Sequence, residues 1–321
     1  MSEPLPDFSL LRPKTIDEAT QALAQSPNAR LLGGGTDLLV NMRRGLVANE
    51  RLIDLTAISE LQVISMDDAG LKIGAGVTIR ALSENKAIAD AYPAITAAAL
   101  SIAGPNHREV ATVGGNLCVD TRCLYYNQSE WWRAANDYCL KYGGEICHVA
   151  PNGNRCRAAY SGDLAPAFMV HNAEVVLSSS TGERQIPLHA LYAEDGAAFL
   201  NLEPGEMISR ILLPSSDATS LYDKVRVRRS TDFPLAGVAV AKRLVGDDVE
   251  LDLAITGTNS RPIRLDPAAT LRTGDDVEDY LKSLSKRVQK AVSPQRTTTI
   301  APHYRRLAAA ALAVRLARKL L

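Results

Sequence analysis

Short apolar runs bounded by turn residues alternate with longer runs of helical period along this chain. At the start, "TIDEA" places Thr15 three residues before Glu18, ahead of an apolar-periodic run to about Leu23. That is the capping-box pattern, and it predicts a first helix. In "ARLLGGGTDLLVNMRRG" a short apolar strand signal meets three glycines and then a second apolar run, as in a strand-loop-helix unit. "RLIDLT", "LQVIS" and "GLKIGAGVTI" read as short strands, and the alanine-rich "AYPAITAAALSIA" as a helix ending at Gly104-Pro105. A second glycine pair lies in "NHREVATVGGNL", and from "SGDLAPAFMVHNAEVVLSS" the strand-like pattern resumes.

"PGEMISRILLP" followed by the polar "SSDATS" reads as the close of a domain, with a boundary near residue 216. Beyond it, strands in "YDKVRVRRS", "LAGVAVAKRLV" and "VELDLAITGTN" alternate with helices. The tail "HYRRLAAAALAVRLARKLL" is strongly helical, and its alanine-rich spacing predicts packing against its own domain or a partner chain rather than a membrane surface. The mixture predicts an α+β fold in two parts, residues 1–216 and 217–321. At 321 residues the chain exceeds what one core usually serves.

Composition narrows the function classes. Lys plus Arg equal Asp plus Glu at 36 each, so the electrostatic footprint of nucleic-acid binding is missing. "MSEPLPDFSLLRPKT" lacks a basic start and an apolar core, predicting neither a signal peptide nor a span, hence a cytoplasmic protein. In that reducing compartment clustered thiols point to metal or redox work before disulfides.

The thiols are clustered. All five cysteines fall at Cys118, Cys123, Cys139, Cys147 and Cys156, and both tryptophans lie between Cys123 and Cys139 in "CLYYNQSEWWRAANDYC". The spacing contains no C-x-x-C knuckle, which disfavours a zinc ribbon or a thioredoxin-type motif. Four thiolates from a long irregular loop can enclose an iron-sulfur cluster, with Trp131, Trp132, Tyr125, Tyr126 and Tyr138 shielding it from water. The alternative is a small satellite core with inert buried thiols. Cys118 adjoins the second glycine pair and is left out of the set.

The glycine runs bring backbone N–H groups close to an anion, as in pyrophosphate binding. "GGGTDLL" lacks the third glycine of the dinucleotide fingerprint, since Leu38 stands there, and there is no Walker lysine-serine pair. Either run alone could be a tight turn that binds nothing; two together favour an anion site.

Taken together, "RPKTIDEA", "LLGGGTDLL", "GAGVTIRAL", "ATVGGNL", "SGDLAPA", "PGEMISRILLP" and "YDKVRVRRSTDFPLAGVAVA" resemble the flavoprotein subunit of the molybdenum hydroxylase (xanthine oxidase) family over nearly the whole chain. Within it, "GGNLCVDTRCLYYNQSEWW" and the later cysteines resemble the β subunit of the 4-hydroxybenzoyl-CoA reductase branch, whose cysteine-bearing insertion, here about 119–158, most members lack. The resemblance implies FAD extended between two α+β subdomains, then a smaller C-terminal domain. It carries phosphate contacts onto Leu31, Leu32, Gly33, Gly34, Gly35, Thr36, Asp37 and Leu38, and onto Thr112, Val113, Gly114, Gly115 and Asn116, with Ile102 just upstream. It puts Asp163 toward the ribose or ring and Lys224 near the flavin, and makes Cys123, Cys139, Cys147 and Cys156 the ligands of a 4Fe-4S cluster.

The partners so implied are a molybdopterin-containing large subunit and a small subunit with two 2Fe-2S clusters, in a dimer of heterotrimers, with ferredoxin as electron donor. The reaction implied is reductive dehydroxylation of 4-hydroxybenzoyl-CoA to benzoyl-CoA, with no catalytic residue in this chain. The alternatives are a conventional molybdenum hydroxylase subunit that passes electrons outward, its cysteine loop merely structural, and a zinc-stapled scaffold protein whose glycine loops bind no flavin.

Overall fold

The computed structural model describes residues 4–228, 231–265, 269–296 and 300–321, so Arg229 and Ser230 of the "YDKVRVRRS" run lie outside the described residues. The first layer is a small parallel unit built from β1 (Ser9–Leu11), α1 (Ile16–Gln25), β2 (Arg30–Leu32), α2 (Leu38–Arg43) and β3 (Arg51–Asp54), with sheet order β1-β3-β2. Thr15 caps α1 as its spacing predicts, its hydroxyl accepting from the Glu18 amide at 3.1 Å. The Glu18 carboxylate reaches back to the Lys14 amide at 2.7 Å.

A second layer follows with β4 (Ile64–Asp67), β5 (Gly70–Gly74), α3 (Ile79–Glu84), α4 (Lys86–Ala91), α5 (Pro93–Ser101), α6 (Pro105–Arg108), α7 (Val113–Leu117), α8 (Glu130–Ala134), α9 (Leu164–Met169), β6 (Glu174–Ser179), β7 (Gly182–Pro187) and β8 (Met207–Pro214). Its antiparallel sheet runs β4-β5-β8-β6-β7. The strand expected in "GVTI" is instead an isolated bridge at Thr78, which caps α3. Part of "LQVIS" is a 3-10 turn, Ser59–Gln62. The alanine-rich run forms the single helix α5, with α4 stopping at Ala91 just before it because Pro93 lacks an amide to continue α4 and instead opens α5 as its first residue. α5 ends at Ser101, just before Gly104-Pro105, and Pro105 there opens α6. The first half of "SGDLAPAFMVHNAEVVLSS", expected as strand, forms α9, all six of whose residues are buried.

The third layer comprises β9 (Thr219–Val225), β10 (Ala236–Val245), β11 (Asp248–Thr256), β12 (Ile263–Arg264), β13 (Ala269–Leu271), α10 (Val277–Ala291) and α11 (Pro302–Leu320). The order is β12-β11-β10-β9, with β13 also on β11. The tail helix α11 buries Ala309, Ala310, Leu312, Ala313, Leu316 and Ala317 against the Val238, Val240 and Leu253 face of its own sheet, together with Leu281 and Leu284 of α10. That is the packing its alanine spacing predicts. Among the described residues no helix is long and apolar enough to cross a membrane.

The second and third layers meet along α5 and β9, where small side chains allow close approach. There the Ala94 amide donates to Ser220 Oγ at 3.2 Å, and the buried His171 ring lies 2.9 Å from the same hydroxyl. Arg305, 3% exposed, fastens α11 by donating to the carbonyls of Leu235 (3.1 Å), Gln295 (2.7 Å) and Gly257. Burial without a carboxylate lowers its pKa to about 10.

Candidate flavin site and thiol pocket

The first glycine run, Gly33 to Asp37, links β2 to α2, and the second forms α7. They are distant in sequence but in contact. A Cβ on Gly33 would come within 2.8 Å of Thr112 Oγ1, and one on Gly34 within 1.8 Å of the Val110 carbonyl oxygen. Only glycine permits that approach, and Gly35 adds a left-handed φ of +71°. Thr112 caps α7, its hydroxyl accepting from the Gly115 amide at 3.1 Å, while Val113 and Gly114 donate to the carbonyls of Val77 (2.9 Å) and Ala75 (2.8 Å). The turn after β5 thus seats the second run, a contribution the apolar pattern did not single out.

Among the described residues the amides of Gly34, Gly35, Thr36 and Asp37 donate to no protein acceptor. The run is half-buried and meets the second run edge to edge. Successive unpaired N–H groups on a glycine backbone suit an anion such as a pyrophosphate, and the donor set therefore fits FAD. Leu31, Leu32 and Leu38 flank this run on β2 and α2.

Asn116 joins the second run to the helix of Asp163, its Oδ1 accepting from the Leu164 amide at 3.0 Å. Asp163 and Lys224 are brought together directly. Lys224 Nζ lies 3.0 Å from the Asp163 carboxylate, with side-chain exposures of 2% and 5%, and the Tyr222 hydroxyl donates to the same carboxylate at 2.5 Å. Burial raises the Asp163 pKa, opposed by the Lys224 ammonium and by the Tyr222 and Lys224 hydrogen bonds. The pair ties α9 to β9, so each residue's first partner is the other. Ile102 ends α5 and is buried; its carbonyl accepts from Arg108 Nη1 at 2.9 Å, and Ala103 beyond it has a positive φ of 43°.

The cysteine segment leaves and re-enters the fold at one antiparallel bridge, Arg122 to Ala159, closed by amide-to-carbonyl bonds of 2.9 and 2.8 Å. Cys139, Cys147 and Cys156 are buried, Cys123 is half-buried, and all are free thiols. Cys123 packs against Cys139, and the neighbouring thiols add to burial in raising the pKa of Cys123 (Cys139, Cys147) and of Cys156 (Cys147, Cys123). Backbone amides point at the sulfurs, Tyr126 N to Cys123 Sγ and Ala158 N to Cys156 Sγ, each at 3.3 Å. Burial raises both pKa values, that of Cys156 to about 12, against these amides and, for Cys156, the nearby Lys141. Cys118 stands apart beside Tyr160 and Tyr192, and burial alone pushes it up to about 12.

Cys156 is further clamped from both sides. Asp195 accepts from its amide at 3.2 Å, and its carbonyl accepts from Gly196 N (3.0 Å) and Ser260 Oγ (3.2 Å). Among the described residues no three His, Cys, Asp or Glu side chains form a group that could hold a metal ion. A cubane core differs from a single ion in spreading its thiolates over four corners, and the chemistry of this donor set, soft thiols with amides aimed at sulfur, suits it. The satellite core is also real: Leu46, Tyr126 and Cys139 pack together, with Val47, Cys123 and Tyr142 against them.

The aromatic shield needs correction. Trp131 is 78% exposed, because Arg133, two positions along the short α8, takes the inward face and donates to the carbonyls of Gln128 (2.6 Å) and Gly45 (3.0 Å). Trp132, Tyr125 and Tyr138 are half-buried, and of the five only Tyr126 is buried. Tyr142, not singled out from the sequence, stacks on Tyr138 at 5.5 Å and lies under Arg133 at 4.4 Å.

Residues 6–216 match the family described as the FAD binding domain in molybdopterin dehydrogenase. The aldehyde oxidoreductase FAD-binding subunit PaoB of Escherichia coli (strain K12) is 30% identical over 271 residues, covering 81% of this chain and 84% of that protein. The putative xanthine dehydrogenase FAD-binding subunit XdhB of the same organism is 28% identical over 306 residues, covering 93% and 91%. In fold, the chain is similar to a solved structure of reconstituted CO dehydrogenase from Oligotropha carboxidovorans, with a TM-score of 0.79, 22% identity, and 99% and 98% of the two chains covered.

Proposed function

Because the chain belongs to the family of FAD-binding subunits of molybdopterin-dependent dehydrogenases, we propose that it is the flavin- and iron-sulfur-bearing electron-transfer subunit of a 4-hydroxybenzoyl-CoA reductase-type enzyme. Its partners would be a molybdopterin-bearing large subunit and a small subunit with two 2Fe-2S clusters, in a dimer of heterotrimers. Ferredoxin would be the donor and benzoyl-CoA the product. FAD exchanges electrons singly or in pairs when bound, and an iron-sulfur cluster exchanges them one at a time.

The protein residues bind, orient and exclude water. The amides of Gly34 to Asp37 would hold the pyrophosphate, with Thr112 to Asn116 closing the other side of the cradle. The Asp163–Lys224 pair fixes the seam between α9 and β9 beside it. Cys123, Cys139, Cys147 and Cys156 would ligate the 4Fe-4S cluster, with the Tyr126 and Ala158 amides turned to sulfur. The observation that carries this reading is that Cys123, Cys139, Cys147 and Cys156 all lie in the one segment closed at the Arg122–Ala159 bridge, with Cys123 packed against Cys139 and the Tyr126 and Ala158 amides at the Cys123 and Cys156 sulfurs.

The test is anaerobic purification of the chain with its partner subunits, followed by iron, sulfide, zinc and flavin analysis beside Cys139→Ser. Iron and sulfide beyond two 2Fe-2S clusters, lost in the variant while FAD stays, is the expected result. Unchanged iron, or zinc in its place, would refute it. A second reading, a conventional hydroxylase subunit passing electrons outward, is favoured by the likeness to the xanthine dehydrogenase and aldehyde oxidoreductase subunits and by the apolar packing around Cys139. Full FAD without extra iron would select it.

A further inference from the structure

Neither reading uses the two cations that border the thiol pocket. Lys141 follows Cys139 by two residues, and its side chain is only 8% exposed. Its ammonium donates to Asp120 Oδ1 (2.6 Å), to the Thr121 carbonyl (2.8 Å) and to the Thr121 hydroxyl, and lies 4.7 Å from the centre of the Tyr126 ring. Arg122 approaches the same ring at 5.4 Å, with Asp120 at 3.8 Å and Asp37 at 3.5 Å. Tyr126 in turn packs with Cys139 and gives its amide to Cys123. A row of alternating charges, Asp37, Arg122, Asp120, Lys141, therefore runs from the first glycine run to the thiols.

Burying an ammonium is unfavourable unless its surroundings compensate it. Asp120, 25% exposed, repays part. Four thiolates around a cubane core leave a net negative charge that grows by one on reduction, and a fixed cation beside them stabilises the reduced form.

We propose that Lys141 is a positioning residue whose ammonium, anchored by Asp120 and Thr121, makes the iron-sulfur site easier to reduce, while the Asp120 carboxylate opposes it. The inference rests on the 4Fe-4S reading. It is tested on the purified complex, comparing wild type, Lys141→Gln, Lys141→Arg and Asp120→Asn. Iron and sulfide are assayed first, and each form is then titrated anaerobically with dithionite against redox mediators while the reduced cluster is followed by electron paramagnetic resonance.

Lys141→Gln is expected to shift the one-electron equilibrium at least about tenfold toward the oxidised form, a fall of about 59 mV. Lys141→Arg should keep the wild-type value, and Asp120→Asn should move it upward. A purely structural role would alter cluster content without opposite shifts. If Lys141→Gln fails to hold iron, Asp120→Asn decides: a potential unchanged or lowered overturns the inference. Iron intact with neither potential moved overturns it while leaving the cluster in place. Wild type without the extra iron and sulfide overturns both.

Discussion

Gly34→Ala tests the flavin cradle at its tightest point. The added Cβ would lie 1.8 Å from the Val110 carbonyl oxygen and 2.3 Å from its carbon, where ordinary contact begins at 3.4 Å. The atoms in the way are backbone, so the two glycine runs must part by roughly 1.5 Å on that geometry. Overpacking of this kind costs about 1–3 kcal/mol of stability. The functional cost is larger, because amides at Gly34 to Asp37 can serve one anion only while the cradle keeps its shape. Hydrogen bonds to a charged group contribute about 1.5–3 kcal/mol each, so losing two corresponds to at least about a hundredfold weaker FAD binding. The assay is titration of the deflavinated complex with FAD, followed by flavin fluorescence, with thermal unfolding of the FAD-free form as the control for folding. A variant that binds FAD with wild-type affinity would refute the assignment of this run as the phosphate cradle.

Two other expectations are independent of the flavin. Lys224→Met leaves the buried Asp163 carboxylate unpaired and should cost about 3–5 kcal/mol in urea unfolding. Adding Asp163→Asn should recover much of that loss, and a single variant costing under about 1 kcal/mol would show the pair to be dispensable. His171 is buried between Tyr92 and Ser220, and its pKa falls from 6.5 to about 4 through desolvation first and the nearby Arg243 second. The unfolded state therefore binds the proton more tightly, so this contribution is complete above about pH 6.5 and is lost as pH falls toward 4. The loss is on the order of 3 kcal/mol. His171→Gln should flatten the pH dependence of unfolding in that window, and an unchanged slope would exclude His171 as its source.

What the sequence disclosed was mostly local. The Thr15 cap is legible because donor and acceptor lie three residues apart. The α11 tail is legible because its alanine spacing selects a packed face. The strand expectation at "SGDLAPAFMV" failed for the opposite reason: a helix buried on every side has no polar face, so its apolar run mimics a buried strand. Trp131 misled in another way, since aromatic content says nothing about which face of a one-turn helix an arginine will occupy. Both glycine runs were visible, but the approach of Gly34 to Val110 is a tertiary fact. So is the row from Asp37 to Lys141, although the alternating charges of "DTRC" beside the glycine pair were a signal of it.

The bridge at Arg122 and Ala159 bears on how much the segment between them can vary. Both stalks of the cysteine segment pass through one pair of hydrogen-bonded residues, so the sheet and the glycine runs close on themselves beneath it. A long excursion raised on so narrow a base adds little loop-closure entropy as it lengthens. It can be elaborated by insertion while the scaffold below keeps its register. The stitches from Ser260 to the Cys156 carbonyl and from Gln295 to the Arg122 carbonyl, the latter at 2.6 Å, hold its two ends to the fold below.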